Sequence, residues 1–107
     1  MTTFDDRKDQ FEKKFAHDAE LRFKAEARRN KLLGEWAAGL LGYEGQKAED
    51  YVKEVIRADL QEAGDEDVFR KIRGDFDAAS VDQSDHQIRR HMQEFMAEAL
   101  SQLQSGS

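Results

Sequence analysis

Apolar residues recur at helical spacing along most of the chain, but their density changes sharply near residue 32. Phe4, Phe11 and Phe15 stand at i, i+7 and i+11, one stripe of a helix, with almost nothing but charge between them. From Leu32 the pattern thickens, and Leu32, Leu33, Trp36, Ala37, Leu40 and Leu41 make a full apolar face. Thr3 with Asp6 resembles a capping box, and Asp5 and Asp6 suit the positive end of a helix dipole. Gly34 costs about 1 kcal/mol relative to alanine inside a helix, yet the apolar spacing continues through it. One helix is therefore predicted from Phe4 to Leu41, closed by Gly42 as a left-handed cap. At ~1.5 Å per residue it would be roughly 57 Å long, more than the remaining helices can cover.

Three further helices follow. Ala48, Tyr51, Val52, Val55, Ile56 and Leu60 form one face of a helix from about Gln46 to Ala63, ended by Gly64. Asp65, Glu66 and Asp67 open the next, which carries Val68, Phe69, Ile72 and Phe76 and stops near Ala79. Ser84 followed by Gln87 is a capping box for the last, whose face is Ile88, Met92, Phe95, Met96, Ala99 and Leu103. Neither strand-like alternation nor a fixed repeat is present. The expected fold is all-α, four helices joined by short loops. The polar tail from Gln104 to Ser107 is expected to be disordered.

Charge sharpens the contrast between the two halves of the long helix. Residues 1–31 hold nine Lys/Arg against seven Asp/Glu, net +2, while the remainder holds eight against sixteen, net −8. An acidic body repels phosphate backbones, so no nucleic-acid partner is expected. Cysteine is absent, which removes disulfide and thiolate chemistry. Proline is absent too, so glycine supplies the punctuation. The opening Met1-Thr2-Thr3-Phe4 lacks a basic region followed by an apolar run, and no stretch approaches the ~20 apolar residues of a membrane span. A soluble, cytoplasmic protein without membrane insertion is expected.

Few residues invite catalysis. His86 and His91 lie five apart, about 140° around a helix, and cannot share a metal as an i, i+4 pair could. His17 beside Asp18 has no matching helix partner. No nucleophile elbow or phosphate-binding glycine loop occurs. The cluster Asp65-Glu66-Asp67 lacks the ligand spacing of a calcium loop and is better read as helix-start electrostatics. Neither an enzyme nor a metal protein is expected.

Two features stay open on the residues alone. Arg22, Lys24, Arg28, Arg29 and Lys31 form either a solvated helix face laced with i, i+4 pairs, such as Glu20 with Lys24, or a steering patch for an acidic partner. The phenylalanine stripe is either core or a set of anchors for a second protein. Phe15 and Phe23 can fold back on the bundle, whereas Phe4 and Phe11 are harder to bury at home. Three phenylalanines buried on a partner contribute roughly 1.5–3 kcal/mol each. Ordering such a segment costs about 2–5 kcal/mol, so a conditional contact follows more naturally than a permanent one.

The run Phe4-Asp5-Asp6-Arg7, then Phe11-Glu12-Lys13-Lys14-Phe15-Ala16-His17-Asp18, then Glu20 through Gly34 with Trp36-Ala37-Ala38 resembles the zeta inhibitor subunit of the F-type ATP synthase of alphaproteobacteria. The likeness continues through Gly64–Lys71 and Ser84–Arg90 and so covers essentially the whole chain. It implies a four-helix bundle over residues 20–103 with a mobile amino-terminal arm, residues 1–19, that becomes helical in the catalytic head. There the arm blocks rotation in the hydrolysis direction while permitting synthesis, much like the mitochondrial inhibitor protein. Residue by residue, Phe4, Phe11 and Phe15 would be apolar anchors. Asp5, Asp6, Arg7, Lys8, Glu12, Lys13 and Lys14 would make polar contacts. The resemblance also implies a monomer when free, peripheral to the inner membrane when bound, and weak ATP or ADP binding by the bundle with no residue assigned to it. The alternative reading is an adenine-nucleotide-responsive helical module without strong inhibitory activity.

Overall fold

The computed structural model describes residues 3–59 and 65–104, with side chains from Ala19 onward in those ranges. Four helices run in order: α1 Thr3–Leu41, α2 Gly45–Asp59, α3 Glu66–Ala78 and α4 Asp85–Gln104. No strand occurs among the described residues, and the all-α four-helix fold is as expected. The molecule measures 64 × 25 × 21 Å, its long axis set by the 39 residues of α1. The expected end of α2 at Ala63, with Leu60 and Gly64, lies outside the described residues. Gln104 belongs to α4 rather than to the tail, of which Ser105, Gly106 and Ser107 lie outside the described residues.

Each helix packs antiparallel to its sequence neighbour, and α1 also lies antiparallel to α4. Gly34 faces Val52 across α1 and α2, Glu54 meets Lys71 across α2 and α3, and Trp36 meets His91 across α1 and α4. α3 lies across from α1 and joins α2 to α4. The core between them is Leu33, Ala37, Ala38, Tyr51, Val55, Val68, Phe69, Ile72, Phe76, Ile88 and Met92. Complete burial of side chains such as Leu33, Ile72, Phe76 and Ile88 stabilises by roughly 1.5–3 kcal/mol each, before entropy is counted.

Local chemistry sets the helix ends. α1 stops in a Schellman motif: Gly42 takes φ 81°, its N–H donates to the Gly39 carbonyl at 3.2 Å, and the Tyr43 N–H reaches the Ala38 carbonyl at 2.9 Å. α3 ends the same way without glycine. Ser80 holds φ 58°, and Val81 N–H donates to the Phe76 carbonyl at 2.8 Å. The capping box at α4 is reciprocal, with Ser84 N–H to Gln87 Oε1 at 2.8 Å and Gln87 N–H to Ser84 Oγ at 3.1 Å.

Candidate functional site

Phe4, Asp5, Asp6, Arg7, Lys8, Phe11, Glu12, Lys13, Lys14 and Phe15, with Thr3 and His17, belong to the helical backbone of α1. Their side chains lie outside the described residues. What the structure does show is how that segment is rooted. The described part of α1 opens on exposed residues held in ion pairs one turn apart, Glu20 with Lys24 at 3.1 Å and Arg22 with Glu26 at 3.3 Å. Deeper anchoring begins with Ala25, and Ala25, Arg29, Leu33 and Ala37 form a buried row at intervals of four.

Two expectations about this stretch are corrected. Phe23 does not fold back on the bundle: it is 66% exposed. It sits on the side of α1 that faces α2, near Ile56 and Asp59 at the end of the described part of that helix. Arg29, read with its basic neighbours as either a solvated face or a steering patch, belongs to neither: it is 1% exposed, and Asn30 is equally buried. The Arg29 Nε–H donates to Asn30 Oδ1 at 3.0 Å and its Nη1–H to Asp65 Oδ1 at 2.8 Å. Its Nη2 lies 3.7 Å from Asp59 Oδ1, beyond hydrogen-bond reach, and has no hydrogen-bond partner. One side chain of α1 is thus tied to the end of α2 and the start of α3. Asp65 stands at the N-cap of α3 with an αR backbone and no side-chain cap bond, and its Oδ1 accepts from Arg29 instead. The i, i+4 row through Ala25 and Leu33 was the sequence signal for Arg29. The surrounding basic residues masked it.

The opposite side of the root is aromatic. The Trp36 ring stacks on His91 with centroids 4.1 Å apart and planes inclined 17°, and meets the edge of Phe76 at 5.5 Å. His91 Nδ1 lies 2.8 Å from the Gln87 carbonyl, to which only a protonated nitrogen can donate. His86 is exposed. Among the described residues no group of three or more His, Asp or Glu could hold a metal ion. Leu40, expected on the apolar face of α1, is instead 42% exposed.

Ion pairs close the rim around α3. Arg89 forks onto Glu66, Nη1 to Oε1 at 3.0 Å and Nη2 to Oε2 at 3.2 Å, which holds the Glu66 carboxyl below its ordinary range. The same guanidinium lies over the Phe69 ring at 3.9 Å. Burial pulls the Lys71 ammonium down, but Asp75 and Glu54 outweigh it and raise it overall. Burial, helped by a 2.8 Å bond to Asp75, pushes the Tyr51 hydroxyl far above its ordinary value. These groups are committed to structure. None is poised as an acid or base beside a nucleophile.

Arg29 and Arg89 also line a cavity of about 300 Å³ with Asp65, Met92, Gln93 and Met96. No described helix is long and apolar enough to cross a membrane.

Comparison with known proteins places the chain. A search among curated proteins finds no match. A structure solved by solution NMR is 45% identical and superposes with a TM-score of 0.71, over 81% of this chain and 99% of that one. The family model described as ATPase inhibitor subunit zeta matches residues 1–102. A four-helix body rooting a long charged helix accords with that match, and the chain belongs to the ATPase inhibitor subunit zeta family.

Proposed function

We propose that this protein inhibits ATP hydrolysis by the F-type ATP synthase by placing residues 1–19 of α1 into the catalytic head. The observation that carries the reading is the mismatch in helix length: α1 has 39 residues, against 15, 13 and 20 for the helices that could cover it. About half of α1 is left to contact something other than its own bundle. In this reading Phe4, Phe11 and Phe15 anchor the contact, and Asp5, Asp6, Arg7, Lys8, Glu12, Lys13 and Lys14 pair with polar groups of the head. Residues 20–103 form the anchoring body, which α4 continues to Gln104. Seated there, the helix stops rotation in the hydrolysis direction and leaves synthesis running. The protein acts as a non-catalytic monomer, cytoplasmic when free and peripheral to the inner membrane when bound.

Removing residues 1–19 abolishes inhibition of the purified catalytic head while the circular-dichroism melting curve of the remaining bundle stays cooperative. Undiminished inhibition by the truncated protein would refute the proposal.

The cavity beside Arg29 and Arg89 favours a second reading, an adenine-nucleotide-responsive module. Both guanidinium groups are already paired with carboxylates there, which opposes a phosphate. An ATP titration followed by amide shifts separates the two: perturbations confined to Arg29, Arg89 and Gln93, with no inhibition, would favour the module.

A further inference from the structure

Phe23 and Leu40 are the exposed large apolar side chains among the described residues. They differ in what lies near them. Leu40 is at the carboxyl end of α1, beside the Gly42 cap. Phe23 lies eight residues, about 12 Å along the helix axis, from Phe15 at the edge of the arm. Ala27 is exposed one turn further along the same helix, and Ile56 of α2 is half-buried beside it. Phe23, Glu26, Ala27, Asn30, Ile56 and Asp59 together line a cavity of about 190 Å³, room for one branched aliphatic side chain. The charges next to Phe23 are spent on each other, Glu20 with Lys24 and Arg22 with Glu26, so the rim is close to neutral. A ledge of that kind suits an apolar side chain on a surface of balanced charge, and repels a strongly acidic or basic one.

We infer that Phe23, with Ala27 and Ile56, is a second contact with the same catalytic head, seating an aliphatic side chain of that head against the α1–α2 ledge. The inference rests on the proposed function. The occupant follows from continuity: α1 is one helix from Thr3 to Leu41, so a body that grips residues 4–15 holds a rod whose next large aromatic side chain toward the bundle is Phe23. Phe23 then acts at the junction where the arm leaves the bundle, and burying its ring favours the bound state without contributing to the fold.

The test compares Phe23→Ala with Leu40→Ala and wild type, using the full chain and purified catalytic head. Phe23→Ala raises the concentration for half inhibition by about tenfold or more, the loss expected for one buried phenylalanine. Its melting temperature stays at the wild-type value, because the ring is solvent-exposed. Leu40→Ala, about 26 Å further along the helix, inhibits as wild type does. A benzophenone side chain in place of Phe23 forms a photo-adduct with a head subunit. If wild type inhibits and Phe23→Ala is equally potent with no adduct, the second contact is wrong and the arm reading stands. If wild type fails to inhibit, both fall together.

Discussion

A guanidinium buried among helices must find acceptors for its inward-facing N–H groups or cost several kcal/mol. Arg29 meets that demand in part: Asn30 and Asp65 accept from Nε and Nη1, while Nη2 has only the charge of Asp59 at 3.7 Å and no acceptor. The partners differ in exposure: the Asp65 side chain keeps 51% of its surface in water, whereas that of Asp59 keeps 14%. The consequence is asymmetric. Arg29→Ala removes a buried stem and leaves Asp59 and Asn30 without their cation, and should cost about 3 kcal/mol in urea unfolding. Asp65→Asn still presents an oxygen to Arg29 from an exposed position and should cost under about 1 kcal/mol. Equal losses for the two would show that the bond to Asp65 carries the whole contribution of Arg29, and that its buried stem and its approach to Asp59 add nothing.

Between helices, α1 and α2 approach closely at Gly34. A Cβ added there would meet the Val52 Cα at 3.0 Å and its Cγ2 at 3.2 Å, so α1 and α2 would have to move apart. Gly39, on the same helix, has nothing within 4 Å of an added Cβ. Alanine has the higher helix propensity at both sites by about 1 kcal/mol, so the substitutions should separate in sign. Gly34→Ala lowers stability by about 1–2 kcal/mol because backbone atoms must shift, while Gly39→Ala raises it by about 0.5–1 kcal/mol. Urea midpoints with unchanged m-values decide it. The same helices show what the sequence made legible. Periodicity and capping are local, so all four helices, the Gly42 cap and the Ser84–Gln87 box could be read directly. Phe23 could not, because its exposure depends on where α2 runs in space, and a stripe along α1 carries no mark of that. Arg29 was hidden for a similar reason: Arg22, Lys24 and Lys31 around it are solvated, and its place in the row Ala25, Leu33, Ala37 was the signal that it points inward. Ser80 gave no warning of a left-handed cap, since serine there pays a steric cost that glycine would avoid. For residues 1–19, the stripe Phe4, Phe11, Phe15 left core and partner contact both open, and only family resemblance proposed a target; those side chains lie outside the described residues.

At the scale of the whole molecule, two kinds of force hold the body together. α1 joins α2 and α4 through apolar packing, whereas α3 adds to its buried Val68, Phe69, Ile72 and Phe76 a rim of ion pairs: Glu66 with Arg89, Arg73 with Asp77 and Asp85, and Lys71 with Glu54. Bonds to Asp77 hold the Arg73 guanidinium above its ordinary value, and those to Glu66 do the same for Arg89, so these cations stay charged throughout the acid range. The carboxylates titrate instead. Glu66 lies below its ordinary 4.5 in the folded state because Arg89 donates to it, so the folded protein binds this proton less readily than the unfolded chain does. Its contribution is therefore present above about pH 4.5 and disappears as the pH falls from there toward the lowered folded value. The pair is exposed and the effect at neutral pH is small, so Glu66→Gln should melt close to wild type at pH 7. Below pH 4.5 the wild-type melting temperature should fall more steeply than that of Glu66→Gln, which has no proton to gain at that site. Two curves that stay parallel down to pH 3 would mean that the Arg89 fork does not tether α3 to α4 in solution. Acid would then weaken the bundle through its other carboxylates alone.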